Sequence, residues 1–263
     1  MAAAAPRLPL PRLPKIIIII MIMVLDGDGV MPPRIATIDL PGVTPSRQQR
    51  SRETTLALLT AGAELLRTRS LAELSISELC ADIGATVGAF YSRFDSKEAY
   101  FNALLALTLE DGREQLLKLS PAKAVPAGDI EAQCHLLVRG TVLWMRRHKG
   151  VLRAALVRGE HGPDNWSGFK DLAQALSRRA ALLLQPAAHT GAGRRKPEAT
   201  TEQLKAVAFG VQVVLGTLVN AILNDPGPLS VDDDEIAERL AACLVLMLRA
   251  APGAPPRQPP GRR

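Results

Sequence analysis

Cysteine is scarce in this chain. The three present, Cys80, Cys134 and Cys243, lie far apart with no paired spacing. That excludes a disulfide framework or a cysteine-built zinc site and fits a reducing, cytoplasmic setting. Histidine is almost as rare, and the four residues form no HExxH and no clustered ligand set, so no metal is expected. His148 and His161 flank a basic, loop-containing region and read as polar surface. No phosphate-binding glycine loop and no nucleophile motif occur, so neither a cofactor nor an enzymatic activity is indicated. Long apolar runs are missing too. The longest candidate, Ile16 to Leu25, has ten residues, against about 20 needed to span a bilayer. Aromatic residues make up only 3% of the chain, so Trp144 and Trp166 stand out in the region where they fall. No strand series and no internal repeat is visible.

What is present is a soluble, globular composition: 47% hydrophobic and 22% charged residues over 263 positions, enough for a sizeable core in one or two domains. The formal charge of +6 permits a nucleic-acid partner without arguing for one. The most informative stretch is Ser75 to Glu98, SISELCADIGATVGAFYSRFDSKE. Ser75 stands three residues before Glu78, a capping-box spacing that opens a helix. Ile76, Leu79 and Ile83 share one face. Gly84 ends that helix, because glycine accepts the left-handed conformation a helix end often needs. Thr86 caps a second helix over Val87 to Phe94, too short to stand alone. Phe90 and Phe94, four apart, supply its packing face. Tyr91, next to Phe90, points elsewhere. Its hydroxyl beside Arg93 and Lys97 suits phosphate oxygens, and Lys97 sits in the first turn of the next helix, where free N–H groups favour an anion. Two short helices about a glycine turn are the layout of a DNA-binding helix-turn-helix.

Residues 47–105 resemble the TetR family of bacterial transcriptional regulators. RETTLALLTAGAELLRTRS is similar to that family's opening helix, SISELCADIG to its second, ATVGAFYSRF to its recognition helix and DSKEAYF to the start of its fourth. The segment Phe90, Tyr91, Phe94, Lys97, Glu98 carries the most specific part of the likeness. Carried over by position, the resemblance implies that Tyr91 and Lys97 contact phosphates and that Thr86, Val87, Gly88, Ser92 and Arg93 face the major groove, with Ser75 completing the DNA-binding set. Val87, Gly88 and Ala89 offer almost no side-chain hydrogen bonds, so base readout would rest on Arg93, Ser92 and methyl contacts. The sequence departs from the family at Ser70, where a glycine is usual: either Ser70 is left-handed at some cost, or the first helix ends differently. Cys80 and Ile83 replace small residues and read as repacking. Arg47, Arg50 and Arg52 ahead of the first helix form either an arm for the DNA backbone or minor groove, or a solvated helix start.

The chain divides into four parts. Residues 1–46 form an extension, disordered or the product of an upstream start with translation really beginning near Met31. Arg7, Arg12 and Lys15 before the apolar run imitate a signal peptide, but no A-x-A-like site follows. Residues 47–98 are the helix-turn-helix domain, 99–250 a helical ligand-binding and dimerisation domain, and 251–263 a Pro- and Arg-rich disordered tail. Within 99–250, helices are predicted over Ala99–Leu119, Ile130–His148, Val151–Glu160, Trp166–Leu184, Thr201–Asn224 and Asp232–Ala250. Pro121–Gly128 reads as a linker, Gly162–Asn165 as a break and Pro186–Pro197 as a loop.

The last two helices have wide apolar faces, and the resemblance implies that 201–224 and 232–250 pair with their copies in a homodimer; a purely intramolecular core is the alternative. The family pattern places an effector cavity among the middle helices, with Leu107, Trp144, Met145, Trp166, Phe169 and Phe209 as candidate lining, each also compatible with plain core. The expected fold is thus all-α and two-domain. The function implied is that of a cytoplasmic repressor, released from a palindromic double-stranded DNA operator by a small-molecule effector, with no membrane partner. The competing readings are a membrane-associated helical protein using Ile16 to Leu25 and a helical enzyme without a recognisable catalytic motif.

Overall fold

A computed structural model describes residues 41–44, 49–119, 129–158, 164–184 and 200–250. Among these the chain is all-α, with eight helices: α1 (Gln49–Leu65), α2 (Ile76–Asp82), α3 (Val87–Tyr91), α4 (Lys97–Lys118), α5 (Ile130–Arg158), α6 (Asp164–Leu183), α7 (Thr201–Asn224) and α8 (Asp234–Ala250). The apolar run, Met31, the linker, the 186–197 loop and the C-terminal tail lie outside the described residues.

The scarce aromatics are concentrated where the helices are shortest. Phe90 and Phe94 of the recognition segment and Tyr100 and Phe101 of α4 are all buried with Leu58, Leu59, Leu66 and Leu79. Their rings meet at 5.2 Å (Phe90–Phe94), 5.3 Å (Phe90–Tyr100) and 5.1 Å (Phe94–Tyr100). A helix as short as α3 cannot hold itself, and large flat rings give the most buried area per residue. The Tyr100 hydroxyl donates to the Leu58 carbonyl at 2.7 Å, which satisfies its one buried polar atom. Burial pushes this phenol far above its ordinary titration range. A methyl on Gly62 would fall 1.7 Å from that hydroxyl oxygen, so only glycine lets α1 pass here.

The second core is aliphatic. It takes Cys134, Leu137, Val138, Val142 and Met145 of α5, Leu176, Ala180 and Leu183 of α6, and the inner faces of α7 and α8. α7 opens on a complete capping box: Thr200 accepts from the Gln203 N–H at 3.2 Å and the Gln203 side chain accepts from the Thr200 N–H at 2.9 Å. α8 carries Asp234 and Glu235 in its first turn and Arg249 in its last, matching the helix dipole at both ends.

Three expectations change and one open alternative is decided. The helices predicted as separate, one ending at His148 and the next starting at Val151, are one continuous helix over Ile130–Arg158, in which Gly150 packs tightly in a helical conformation. Asp164 and Asn165, expected in a break, instead open α6. Of the two alternatives at Ser70 the second holds, as Asp225 is the sole non-glycine residue with positive φ among those described. α1 ends in a turn, and Ser70 bonds Glu73 through both its N–H (2.8 Å) and its hydroxyl (2.9 Å). Finally, residues 41–44 are not part of a detached extension. Val43 forms an isolated antiparallel bridge with Phe94, the Thr44 N–H donates to the Arg93 carbonyl at 2.8 Å and the Asp95 N–H to the Gly42 carbonyl at 2.9 Å.

Candidate DNA-binding face and effector cavity

Ser75 caps α2, accepting from the Glu78 N–H at 3.4 Å. The reciprocal half of the predicted capping box does not form. The Glu78 carboxylate turns to Arg69 instead, and this hydrogen bond holds Glu78 below and Arg69 above their usual pKa ranges. The pair ties the α1–α2 connection to α2. Gly84 follows at φ +69° with no atom within 4 Å of a would-be Cβ, so its role is conformational. Thr86 then caps α3, accepting from the Ala89 N–H at 3.0 Å.

With Phe90 and Phe94 inside, the outer side of this segment is Thr86, Val87, Gly88, Tyr91 and Ser92, all exposed. The Tyr91 ring is 52% exposed although it packs edge-on against Phe90; one end is fixed and the hydroxyl is available. A Cβ at Gly88 would meet only the Thr86 hydroxyl oxygen, at 3.8 Å, so without one another molecule can approach α3 closely. Lys97 starts α4, and its ammonium donates to the Ala72 carbonyl at 3.0 Å. Arg93 differs from expectation. Its guanidinium donates to the Ser51 hydroxyl at 3.2 Å, to the Ser51 carbonyl at 3.5 Å and to the Ala89 carbonyl. Instead of facing outward it clamps the recognition segment to the start of α1. Of the proposed arm, Arg52 is exposed, while Arg47 and the Arg50 side chain lie outside the described residues.

α5 joins this domain to the rest. Gly150 is buried, and a methyl there would lie 2.5 Å from the Leu66 carbonyl carbon and oxygen and 2.6 Å from the Arg67 nitrogen. One turn on, an Arg153 amino group reaches the carbonyls of Leu66 (3.0 Å), Arg67 (3.4 Å) and Arg69 (3.3 Å). These carbonyls lie just past the end of α1, where a cation also meets the negative end of the helix dipole. Nothing in the sequence around Gly150 or Arg153 signals this contact, because their partners are over 80 positions away.

The same α5 forms a wall of a cavity of about 540 Å³ between α4, α5, α6 and α7. That falls within the size range of small-molecule sites, about 300–1,000 Å³. Of the six candidate lining residues, Trp144, Met145 and Phe169 line it. Leu107 does not; it packs against the N-terminal core. Phe209 does not either: it is 58% exposed on the outer side of α7. The Trp166 side chain lies outside the described residues. Trp144 is held by its indole N–H, which donates to Asp111 at 3.0 Å. His148 Nε2 meets the same carboxylate oxygen at 2.9 Å. Burial pushes the Asp111 pKa up, but the His148 and Trp144 hydrogen bonds and nearby Arg147 outweigh it and hold the carboxyl below its usual range.

The outer sides of α7 and α8 expose Ala208, Phe209, Gly216 and Leu223, and Ala242, Cys243 and Leu246. Val214 and Leu218, by contrast, are buried inside the protomer. α7 is long and apolar enough to cross a membrane by length and composition, a test that a partly buried helix of a soluble protein also passes. Among the described residues no group of acidic, His and Cys side chains could hold a metal.

Residues 58–104 match the family model described as bacterial regulatory proteins, tetR family. No curated protein matches the chain. Among solved structures, a transcriptional regulator from Cytophaga hutchinsonii superposes with a TM-score of 0.53 at 16% identity, covering 75% of this chain and 98% of its own. A tetR-family regulator from Streptomyces coelicolor gives 0.52 at 17% identity, covering 74% and 82%. A protein of Mesorhizobium loti placed in the same family gives 0.57 at 13% identity, covering 78% and 99%. At such identities the likeness is one of fold. Residues 58–104 are thus similar to the DNA-binding segment of the TetR family of bacterial regulatory proteins, and the described helices share the all-α fold of solved regulators of that kind.

Proposed function

We propose that this chain is a dimeric, cytoplasmic transcriptional repressor that leaves a palindromic operator when a small molecule fills the α4–α7 cavity. The observation that carries the reading is the course of α5. Its middle lines the cavity through Thr141, Trp144 and Leu152, and Gly150 and Arg153 of the same helix rest on the end of α1. A ligand that shifts α5 therefore shifts the recognition domain, and differential affinity for the two positions moves the population. The contact face is Thr86, Val87, Gly88, Tyr91 and Ser92, with Lys97 on phosphate and Ser75 at the start of α2. Arg93 orients that face from behind. No catalytic role is assigned to any residue.

The boundaries follow the same logic. Residues 41–98 form the DNA-binding domain and 99–250 the regulatory domain, with α4 running through both. The dimer forms through the outer sides of α7 and α8, where small residues allow close helix approach and Phe209 and Leu246 supply anchors. Binding-site selection from random duplex DNA tests the reading. The expected result is an inverted repeat whose half-sites lie one helical turn apart or a small multiple of it. Enrichment of no motif, or of a single unpaired half-site, would overturn it.

A further inference from the structure

We propose that residues 41–44 are a positioning strap for DNA binding: they fix the turn between α3 and α4 and so set the spacing between Tyr91 and Lys97, the two residues read as phosphate contacts. This rests on the reading of α3 and the start of α4 as the DNA-facing side. α3 ends at Tyr91 and α4 begins at Lys97, so the turn carries one contact at each end. Its flanks are held by the helices themselves. The Arg93 and Phe94 N–H groups both donate to the Phe90 carbonyl, at 2.9 and 3.0 Å, and Ser96 caps α4 by accepting from the Ala99 N–H at 3.0 Å. The middle of the turn bonds to the strap instead. The Asp95 N–H donates to the Gly42 carbonyl at 2.9 Å, the Thr44 N–H donates to the Arg93 carbonyl at 2.8 Å, and Val43 bridges Phe94 between them.

The strap is itself fixed in place. Gly42 is left-handed at φ +76°, and a methyl there would stand 2.9 Å from the Ala99 Cβ in the first turn of α4; glycine meets both conditions. Val43 is half-buried and packs on the N-terminal core. Thr44 is exposed, so it serves the strap through its backbone N–H and not its side chain. α3 is too short to hold its own orientation, and the strap ties its end to the start of α4. Lys97 keeps donors for a phosphate beyond its bond to the Ala72 carbonyl at 3.0 Å, because an ammonium has more than one. What the strap supplies is the distance of that lysine from Tyr91. A recognition segment that holds its binding geometry for only about a tenth of the time binds about tenfold more weakly.

The test uses the full chain with point substitutions, and anisotropy titrations on the inverted repeat that site selection returns with the unmodified protein. Thr44→Pro removes the N–H donor and leaves the rest of the strap, since a bridged Val43 suits the residue before a proline. It should weaken binding about threefold to tenfold. Thr44→Ala, which keeps the N–H, should bind as the unmodified protein does. In the Thr44→Pro background, Lys97→Ala should cost less than it does alone, because the lysine has already lost its fixed place. A strap that merely stabilises the fold leaves the two effects additive. Circular dichroism checks folding, and should Thr44→Pro not fold, Gly42→Ala, strained by its φ, replaces it in the same cycle. Unchanged affinity in the folded strap variant, an equal loss in Thr44→Ala, or full additivity with Lys97→Ala would overturn the proposal and leave the DNA-facing side standing. Selection of no sequence, or Tyr91→Phe and Lys97→Ala both without effect, would overturn the two together.

Discussion

Gly150→Ala isolates the contact on which the regulatory reading depends. Two terms of opposite sign compete. Gly150 lies inside a continuous helix of 29 residues, where replacing glycine by alanine ordinarily gains about 1 kcal/mol. Against this, the new methyl would stand 2.5 Å from the Leu66 carbonyl carbon and oxygen and 2.6 Å from the Arg67 nitrogen. All three are backbone atoms at a helix end, so no rotamer change relieves the clash. The seam must open by about 1 Å to reach an ordinary carbon contact of about 3.5 Å. Opening it stretches the Arg153 bonds to Leu66, Arg67 and Arg69, which stand at 3.0, 3.4 and 3.3 Å, and the weaker Arg67 bond to the Arg146 carbonyl at 3.5 Å. Overpacking costs about 1–3 kcal/mol, and strained bonds from a charged donor add about 1 kcal/mol. The expected net is a loss of about 1–3 kcal/mol in urea unfolding, together with weaker operator binding, because the two recognition helices are displaced from their common spacing. Arg153→Ala should change operator affinity in the same direction without any clash. A Gly150→Ala protein that is more stable by about 1 kcal/mol and binds operator unchanged would show that the seam is not a rigid contact and would remove the coupling argument.

Other outcomes follow from single residues. Tyr91→Phe and Lys97→Ala should weaken binding to every DNA sequence alike, with Lys97→Ala lowering the salt slope by about one; an unchanged slope in anisotropy titrations would count against docking through α3 and the α4 start. Arg93→Ala should weaken binding while a repeated site selection returns the same motif; loss of preference at one position per half-site, worth about 1–3 kcal/mol, would instead assign Arg93 to base readout. Phe209→Asp and Leu246→Asp together should give a folded monomer in sedimentation, because both residues are exposed in the protomer; an unchanged dimer places the interface elsewhere. Asp111→Asn should cost about 1–2 kcal/mol at pH 7. The folded-state pKa of Asp111 is depressed, so its contribution is present above the unfolded value of about 3.9 and fades as pH falls through the folded value. The difference between the two proteins should therefore shrink below about pH 4, and a difference that stays constant down to pH 2.5 would show that the His148 pairing is not its source.

Local chemistry wrote much of this protein into its sequence. Capping at Ser75 and Thr86, the stop at Gly84, the four-residue spacing of Phe90 and Phe94 and the outward turn of Tyr91 all depend on neighbours within one or two turns. They could be read without coordinates. The six cavity candidates that the resemblance implied could not be sorted that way: Trp144, Met145 and Phe169 line the cavity, while Leu107 and Phe209 do not. Tertiary structure decided what depends on distant partners. Arg93 looks like a free base-reading cation until Ser51, 42 positions earlier, is seen to hold it. Phe209 looks like cavity lining because its helix is apolar nearly all round, and only packing shows which side α8 and α5 already cover. Gly150 looks like a helix break because glycine lowers helix propensity, yet the backbone of Leu66 and Arg67 passes where a side chain would be, and that close approach keeps α5 whole. Helical periodicity fixes which residues share a face; which face meets which neighbour is set by contacts across the chain, and those leave no short-range trace.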